Sequence, residues 1–153
     1  MRNILKAVPF FQDLTVEEID RVLAVGRVVS YAKDMVLFKE SDPGEALYIV
    51  LDGSVRISKL VPGLGEQIIA FVEQGSFFGE MALFDDFPRS ATATAQQDCQ
   101  ILFIDRAVFV RLLQEHASIA SKVLWAFCRT LSLRLREASD RIVALSAFNR
   151  PVL

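Results

Sequence analysis

An α+β fold is predicted for this chain: short antiparallel strands closed into a barrel or sandwich, preceded by helices and followed by one long helix. Three observations predict it. Between residues 28 and 104, seven short β-type runs alternate with turn signals. Ahead of them, Thr15 and Glu18 stand three apart at the start of an apolar stripe, the pattern of a helix capping box. After them, apolar residues recur at spacings of four and three from Leu124 to Leu145. The 153 residues, 52% of them apolar and 12 of them Phe, suffice for one domain with a real core and argue against disorder. A net charge of −2 from 17 basic and 19 acidic residues gives no global field for nucleic acid.

Ile4, Leu5, Val8, Phe10, Phe11 and Leu14 form a dense apolar N-terminal segment. Ile19, Val22, Leu23 and Val25 continue it as a helical stripe, which Gly26 stops. From Arg27 the period changes. The β-type runs are 28–31, 35–38, 47–51, 54–59, 67–72, 91–95 and 101–104, parted by turns such as Asp42-Pro43-Gly44, Asp52-Gly53 and Gln74-Gly75. Val55 and Ile57 alternate with Ser54, Arg56 and Ser58, so that strand has one buried face. Asp105 is expected to cap a short helix carrying Val108, Phe109, Leu112 and Leu113.

The final helix is expected over roughly 118–147. Leu124, Cys128, Leu131, Leu135, Ala138, Ile142 and Leu145 form a heptad seam of about three repeats along it, which suits packing against a second copy. The alternative is a stripe laid on the chain's own strands. The polar flanks, with Arg129, Arg134, Arg136, Glu137, Asp140 and Arg141, favour the second copy.

The stretch 77–92 carries the chemistry. It is mostly apolar, yet it holds Glu80 and Arg89 nine residues apart, and buried charges are costly unless partnered. Gly79 permits a close backbone approach or a positive φ. One helical turn after it would leave N–H groups for an anion, Pro88 stiffens the return, and Arg89 offers a planar fork of donors. These residue types suit a small ligand with one negative charge and hydroxyls. The bland reading is a β-hairpin with a surface Glu80–Arg89 salt bridge, which leaves Gly79, Ala82 and the Pro-Arg-Ser-Ala run without a purpose.

The order F-G-E-x-A-L-(x4)-P-R-S-A-T in this stretch resembles the phosphate-binding cassette of the cyclic nucleotide-binding domain family, in its Crp/Fnr-type bacterial branch above all. The match runs unbroken over about sixteen residues, and I-L-x-x-V-P-F-F-x-x-L-T-x-E-E-I resembles the family's N-terminal helical segment. The resemblance implies an eight-stranded antiparallel β-roll, jelly-roll-like, with N-terminal helices and a long C-terminal helix. It divides the chain into a ligand-binding roll over 1–117 with its cassette at 77–92, a lid and dimerisation helix over 118–148, and a tail over 149–153.

By the same resemblance, Glu80 accepts a ribose hydroxyl and Arg89 pairs with a cyclic phosphate. The N–H groups of Gly79, Ala82 and Ala91, with the Ser90 hydroxyl, complete the anion site, and Phe78 and Met81 are further ligand-binding residues. Ile57 and Ile69 flank the base, although each taken alone reads as ordinary strand core, and Ser139 meets the purine edge. The implied ligand is cyclic AMP, with cyclic GMP as the alternative. The implied mechanism is a shift of the terminal helix about a hinge at 116–121, signalling to an effector protein. No helix-turn-helix pattern follows the long helix, so no DNA-binding domain is expected in this chain.

Other chemistry is not expected. One histidine, His116, expected to face solvent, and two distant cysteines, Cys99 and Cys128, make neither a metal site nor a disulfide framework. Both thiols suit a reducing cytoplasm, and no apolar run reaches membrane-spanning length. The paired carboxylates Glu17-Glu18 and Asp85-Asp86 are expected to be solvated. No nucleophile stands with a base, so catalysis is not expected. Two other readings stay open: a scaffold dimer with a vestigial pocket, and a sensor segment of a larger effector.

Overall fold

A computed structural model describes residues 1–84 and 87–148. The elements run α1 (Arg2–Ala7), α2 (Val16–Val25), β1 (Gly26–Tyr31), β2 (Val36–Phe38), β3 (Ala46–Asp52), β4 (Ser54–Val61), β5 (Gly65–Glu73), β6 (Phe77–Phe78), a 3-10 turn (Glu80–Leu83), β7 (Thr92–Ala95), β8 (Cys99–Asp105), α3 (Arg106–Glu115) and α4 (Ala117–Phe148). Eight antiparallel strands form two four-stranded sheets, in the orders β1-β8-β3-β6 and β2-β7-β4-β5. Seven of the strands match the sequence reading to within about two residues at each end. The eighth, β6, is only two residues long and pairs Phe77 with Ile49 and Phe78 with Tyr48, too short to leave a periodic signal.

The apolar run of β3 is buried on both faces, because the strand divides two cores. Leu47, Ile49 and Leu51 join α1, α2, α3 and the start of α4 in one cluster. Tyr48, Val50 and Ala46 turn into the roll and meet Val55, Phe78, Ala93, Ala95 and Ile101 in the other. β8 repeats the division, with Leu102 and Ile104 on the helical side and Ile101 inside the roll. The period of two therefore serves two cores at once.

The helices form where their caps predict. Thr15 Oγ1 accepts from the Glu18 N–H at 3.3 Å while Glu18 Oε2 accepts from the Thr15 N–H at 2.8 Å. Asp105 Oδ1 accepts from the Val108 N–H at 3.2 Å. Two expectations for polar side chains fail. Glu18 is half-buried: Lys122 Nζ donates to its Oε2 at 2.8 Å and Ser118 Oγ to its Oε1 at 2.6 Å, so one carboxylate caps α2 and grips α4. His116 is also half-buried, with Arg21 Nη1 donating to its Nε2 at 3.3 Å, because the chain turns there between α3 and α4 against α2. Asp85, Asp86 and the tail at 149–153 lie outside the described residues. Among the described residues no helix is long and apolar enough to cross a membrane.

The Lys122 and Ser118 hydrogen bonds hold the Glu18 carboxyl well down, to about 2 from its ordinary 4.5. Its folded value lies below its unfolded one, so the stability it brings is complete above pH 4.5 and fades as the pH falls towards 2. Urea midpoints measured down this range should fall less steeply for Glu18→Gln than for the native chain. Parallel acid limbs would remove Glu18 from the account.

Candidate functional site

A cavity of about 440 Å³ opens between the 77–92 stretch, the inner face of the β4–β5 hairpin and α4. Its volume lies within the range of roughly 300–1,000 Å³ common for small-molecule sites. Most of its wall is apolar, and its charged groups among the described residues are Glu80, Arg89 and Arg134.

Gly79 makes the geometry possible. Its φ is +77°, and a Cβ there would stand 2.6 Å from Arg89 Nη1 and 3.0 Å from the Ala46 carbonyl oxygen. The missing side chain lets the guanidinium lie against the backbone. Arg89 is only 6% exposed. Its Nη1 donates to the Gly79 carbonyl at 3.1 Å and its Nη2 to the Ala46 carbonyl at 2.9 Å. Its central carbon lies 4.3 Å from the Phe38 ring centroid and 5.3 Å from that of Tyr48. Nε is buried with no hydrogen-bond partner among the described residues. Burial pushes the guanidinium's pKa below its ordinary value, against the pull of Tyr48. Burial likewise pushes the Tyr48 phenol up.

Glu80 opens the 3-10 turn and is 4% exposed. It does not pair with Arg89 as a surface hairpin would have it. Arg134 of α4 donates through Nη1 to Glu80 Oε1 and lies 5.6 Å over the Phe77 ring. The sequence reading placed Arg134 on a polar flank. The overlooked signal is a second stripe: Ile119, Val123, Phe127, Thr130 and Arg134 recur at spacings of four, four, three and four. That stripe faces the roll, with Ile119, Val123 and Phe127 buried and Thr130 half-buried.

Of the other anticipated residues, Phe78, Gly79, Met81, Ser90, Ala91 and Ile57 line the cavity with Glu80 and Arg89. Ala82 lies in the 3-10 turn, and its side chain is outside the described residues. Ile69 does not line the cavity. Ile57 pairs with Ala70 and Ser58 with Ile68, so Ile69 is the extra residue of a β-bulge and is 56% exposed. A one-residue slip reverses which side chains face inward, and Ala70 and Val72 form the wall instead. Ser139 is exposed and also absent from the lining. Five residues beyond Arg134, it sits about 140° around the helix from it.

Residues 28–116 match the family described as Cyclic nucleotide-binding domain. The chain is 33% identical over 142 residues to a Cyclic AMP receptor protein of Thermus thermophilus, covering 93% of this chain and 64% of that relative. It superposes on the N-terminal domain of a transcriptional regulator from Streptomyces coelicolor A3(2) with a TM-score of 0.79 at 32% identity, covering 91% of this chain and 94% of the other. The regulatory domain of Toxoplasma gondii PKA, crystallised with cAMP, superposes with a TM-score of 0.68 at 32% identity, over 72% of this chain and 42% of that one. The chain thus spans just under two thirds of the length of its Thermus relative.

Gly79→Ala should lose at least about 1–2 kcal/mol of stability from the left-handed backbone alone, with Arg89 displaced besides. Urea denaturation of the two chains measures it, and equal midpoints would contradict the close approach.

Proposed function

We propose that this chain, which belongs to the cyclic nucleotide-binding domain family, is a regulatory sensor module that binds a cyclic mononucleotide, cyclic AMP first, and is not an enzyme. The observation that carries the reading is Arg89: a cation almost sealed from water, with carbonyl oxygens and aromatic faces around it and one donor without a partner among the described residues. An entering phosphate supplies the missing countercharge, and Arg is suited to it by its planar fork. Ser90 and Ala91 stand beside it in the cavity wall.

Glu80 takes the ribose hydroxyl. A carboxylate accepts at about four sites, so it can receive that hydroxyl while Arg134 holds Oε1. Ile57, Ala70 and Val72 offer the apolar side of the cavity to the base. The name of the Thermus relative and the cAMP bound to the Toxoplasma domain support cyclic AMP over cyclic GMP. Among the described residues the lining holds no His, Cys or Lys, which supports binding without turnover. The two unpaired thiols suit a cytoplasmic setting.

A second copy of the chain is the partner at α4. Leu124, Cys128, Leu131, Leu135 and Ile142 of the seam are exposed, while the roll takes up the stripe about 100° away. The side chain of Leu145 lies outside the described residues. Ser139 is on the seam's side of the helix, so its hydroxyl serves a ligand in the second copy's cavity rather than in its own. Signalling follows from differential affinity: only a ligand that binds one position of α4 better than another can move it.

Calorimetry with cyclic AMP tests the site. Removing one partner of a buried ionic pair costs about 3–5 kcal/mol, so Arg89→Ala should weaken binding roughly a hundred- to several-thousand-fold. Unchanged affinity rejects the assignment. In a thermal-shift panel, cyclic AMP should raise the melting temperature more than cyclic GMP or a cyclic dinucleotide, since a ligand of the folded state stabilises it by mass action. No shift with any of them would leave the vestigial-pocket scaffold as the better account.

A further inference from the structure

β5 ends its sheet in the order β2-β7-β4-β5, so among the described residues no strand pairs with its outer edge. It is nine residues long; eight of them are exposed and Val72 is half-buried. Ile68, Ile69 and Phe71 are 53%, 56% and 56% exposed. An uncovered apolar edge is a template for another strand, and proteins blunt such edges with Lys or Pro. β5 contains neither, and its charges are Glu66 and Glu73, one near each end.

The bulge gives this edge a pattern. Glu66 and Glu73 are seven positions apart, an odd number that would set them on opposite faces of a regular strand. The extra residue at Ile69 returns them to one face. Ser54, Arg56, Ser58 and Leu60 alternate along β4, and they stand opposite Glu73, Phe71, Ile68 and Glu66. That face points outward, because Val55 and Ile57 on the other one pack inside the roll. The outer face of β5 therefore runs Glu, Ile, Phe, Glu. Glu66 Oε1 accepts from Ser58 Oγ at 2.6 Å. Among the described residues neither glutamate forms an ion pair.

Opposite charges stabilise a cross-strand pair and like charges destabilise it. From this pattern we infer that β5 is a docking edge for an extended segment of another protein. The segment adds as a fifth strand and carries, on its outer face, two apolar residues between two basic ones. A second copy of β5 does not fit. Antiparallel self-pairing about residues 69–70 brings Glu66 of one protomer within one position of Glu73 of the other, twice over. Ala70 and Val72 line the cavity from the inner face of the same strand, but the inference does not rest on what the cavity binds.

Fluorescein-labelled peptides test it by anisotropy on the native chain. Lys-Thr-Val-Thr-Val-Thr-Lys sets two Lys and two Val on one face. Glu-Thr-Val-Thr-Val-Thr-Glu reverses the charge, and Lys-Thr-Val-Pro-Val-Thr-Lys cannot pair as a strand. The first should bind at least about tenfold more tightly than either of the others. It should also slow amide exchange in β5 and leave β1, the edge of the other sheet, unchanged. Phe71→Lys should abolish the binding. Leu64→Lys, which adds the same charge at an exposed turn residue, should keep most of it. Equal affinity for the Lys and Glu peptides, binding that survives Phe71→Lys, or slowed exchange away from β5 overturns the inference. So does the absence of binding at millimolar peptide. Self-association that Phe71→Lys abolishes in sedimentation would overturn it too, by giving the edge to a second copy.

Discussion

A guanidinium with almost no access to water must be held by its surroundings, and the site is built around how Arg89 is held. Moving such a cation out of water costs several kcal/mol. Two carbonyl acceptors return part of this, since hydrogen bonds to charged groups contribute about 1.5–3 kcal/mol each. The Phe38 and Tyr48 rings add up to about 2 kcal/mol where water is excluded. Among the described residues none of these partners carries a negative charge, and Nε has no hydrogen-bond partner. The cation is tolerated rather than neutralised, and that condition gives a small anion its advantage. Gly79 is the local requirement, because any larger residue would occupy the space in which the guanidinium lies.

The two-core division places this cation. Tyr48 and Phe78 stack at 5.0 Å inside the roll, and the next residue, Gly79, offers its carbonyl to Arg89. Phe77, on the opposite side of the same two-residue strand, packs against Phe10 at 4.0 Å in the helical core. One short strand thereby joins the cavity to the helices. Phe84 and Phe127 make a second join one turn later. Events at the cavity consequently have short, packed routes to α4, although packing alone shows contiguity and not coupling.

α4 uses two faces for two tasks. One stripe fills the core and then reaches the cavity through Arg134, while the heptad seam remains exposed. Because the stripes are about 100° apart, the helix can close on its own roll and still present apolar surface to a second copy. The Arg134 side chain is 48% exposed and the Glu80 side chain only 6%, so the ion pair sits at the boundary between cavity and solvent.

By itself the sequence determined the elements whose causes are local. The Thr15–Glu18 box, the Asp105 cap, seven of eight strands and the positive φ of Gly79 each follow from a few adjacent residues and the backbone they permit. The unbroken pattern of 77–92 likewise marked Glu80 and Arg89 as candidate residues, and both line the cavity. Tertiary structure decided what depends on register and on neighbours distant in the chain. A bulge in the β4–β5 pairing turned Ile69 outward and brought Ala70 and Val72 to the wall, and one extra residue in a ladder has no signature in a run of apolar side chains. Arg134 met Glu80 across 54 residues, and Glu18 met Lys122 across 104. Such partners are chosen by how the helices dock on the two-core roll, a choice made by the summed burial of all the packed faces and not by any one stretch of sequence.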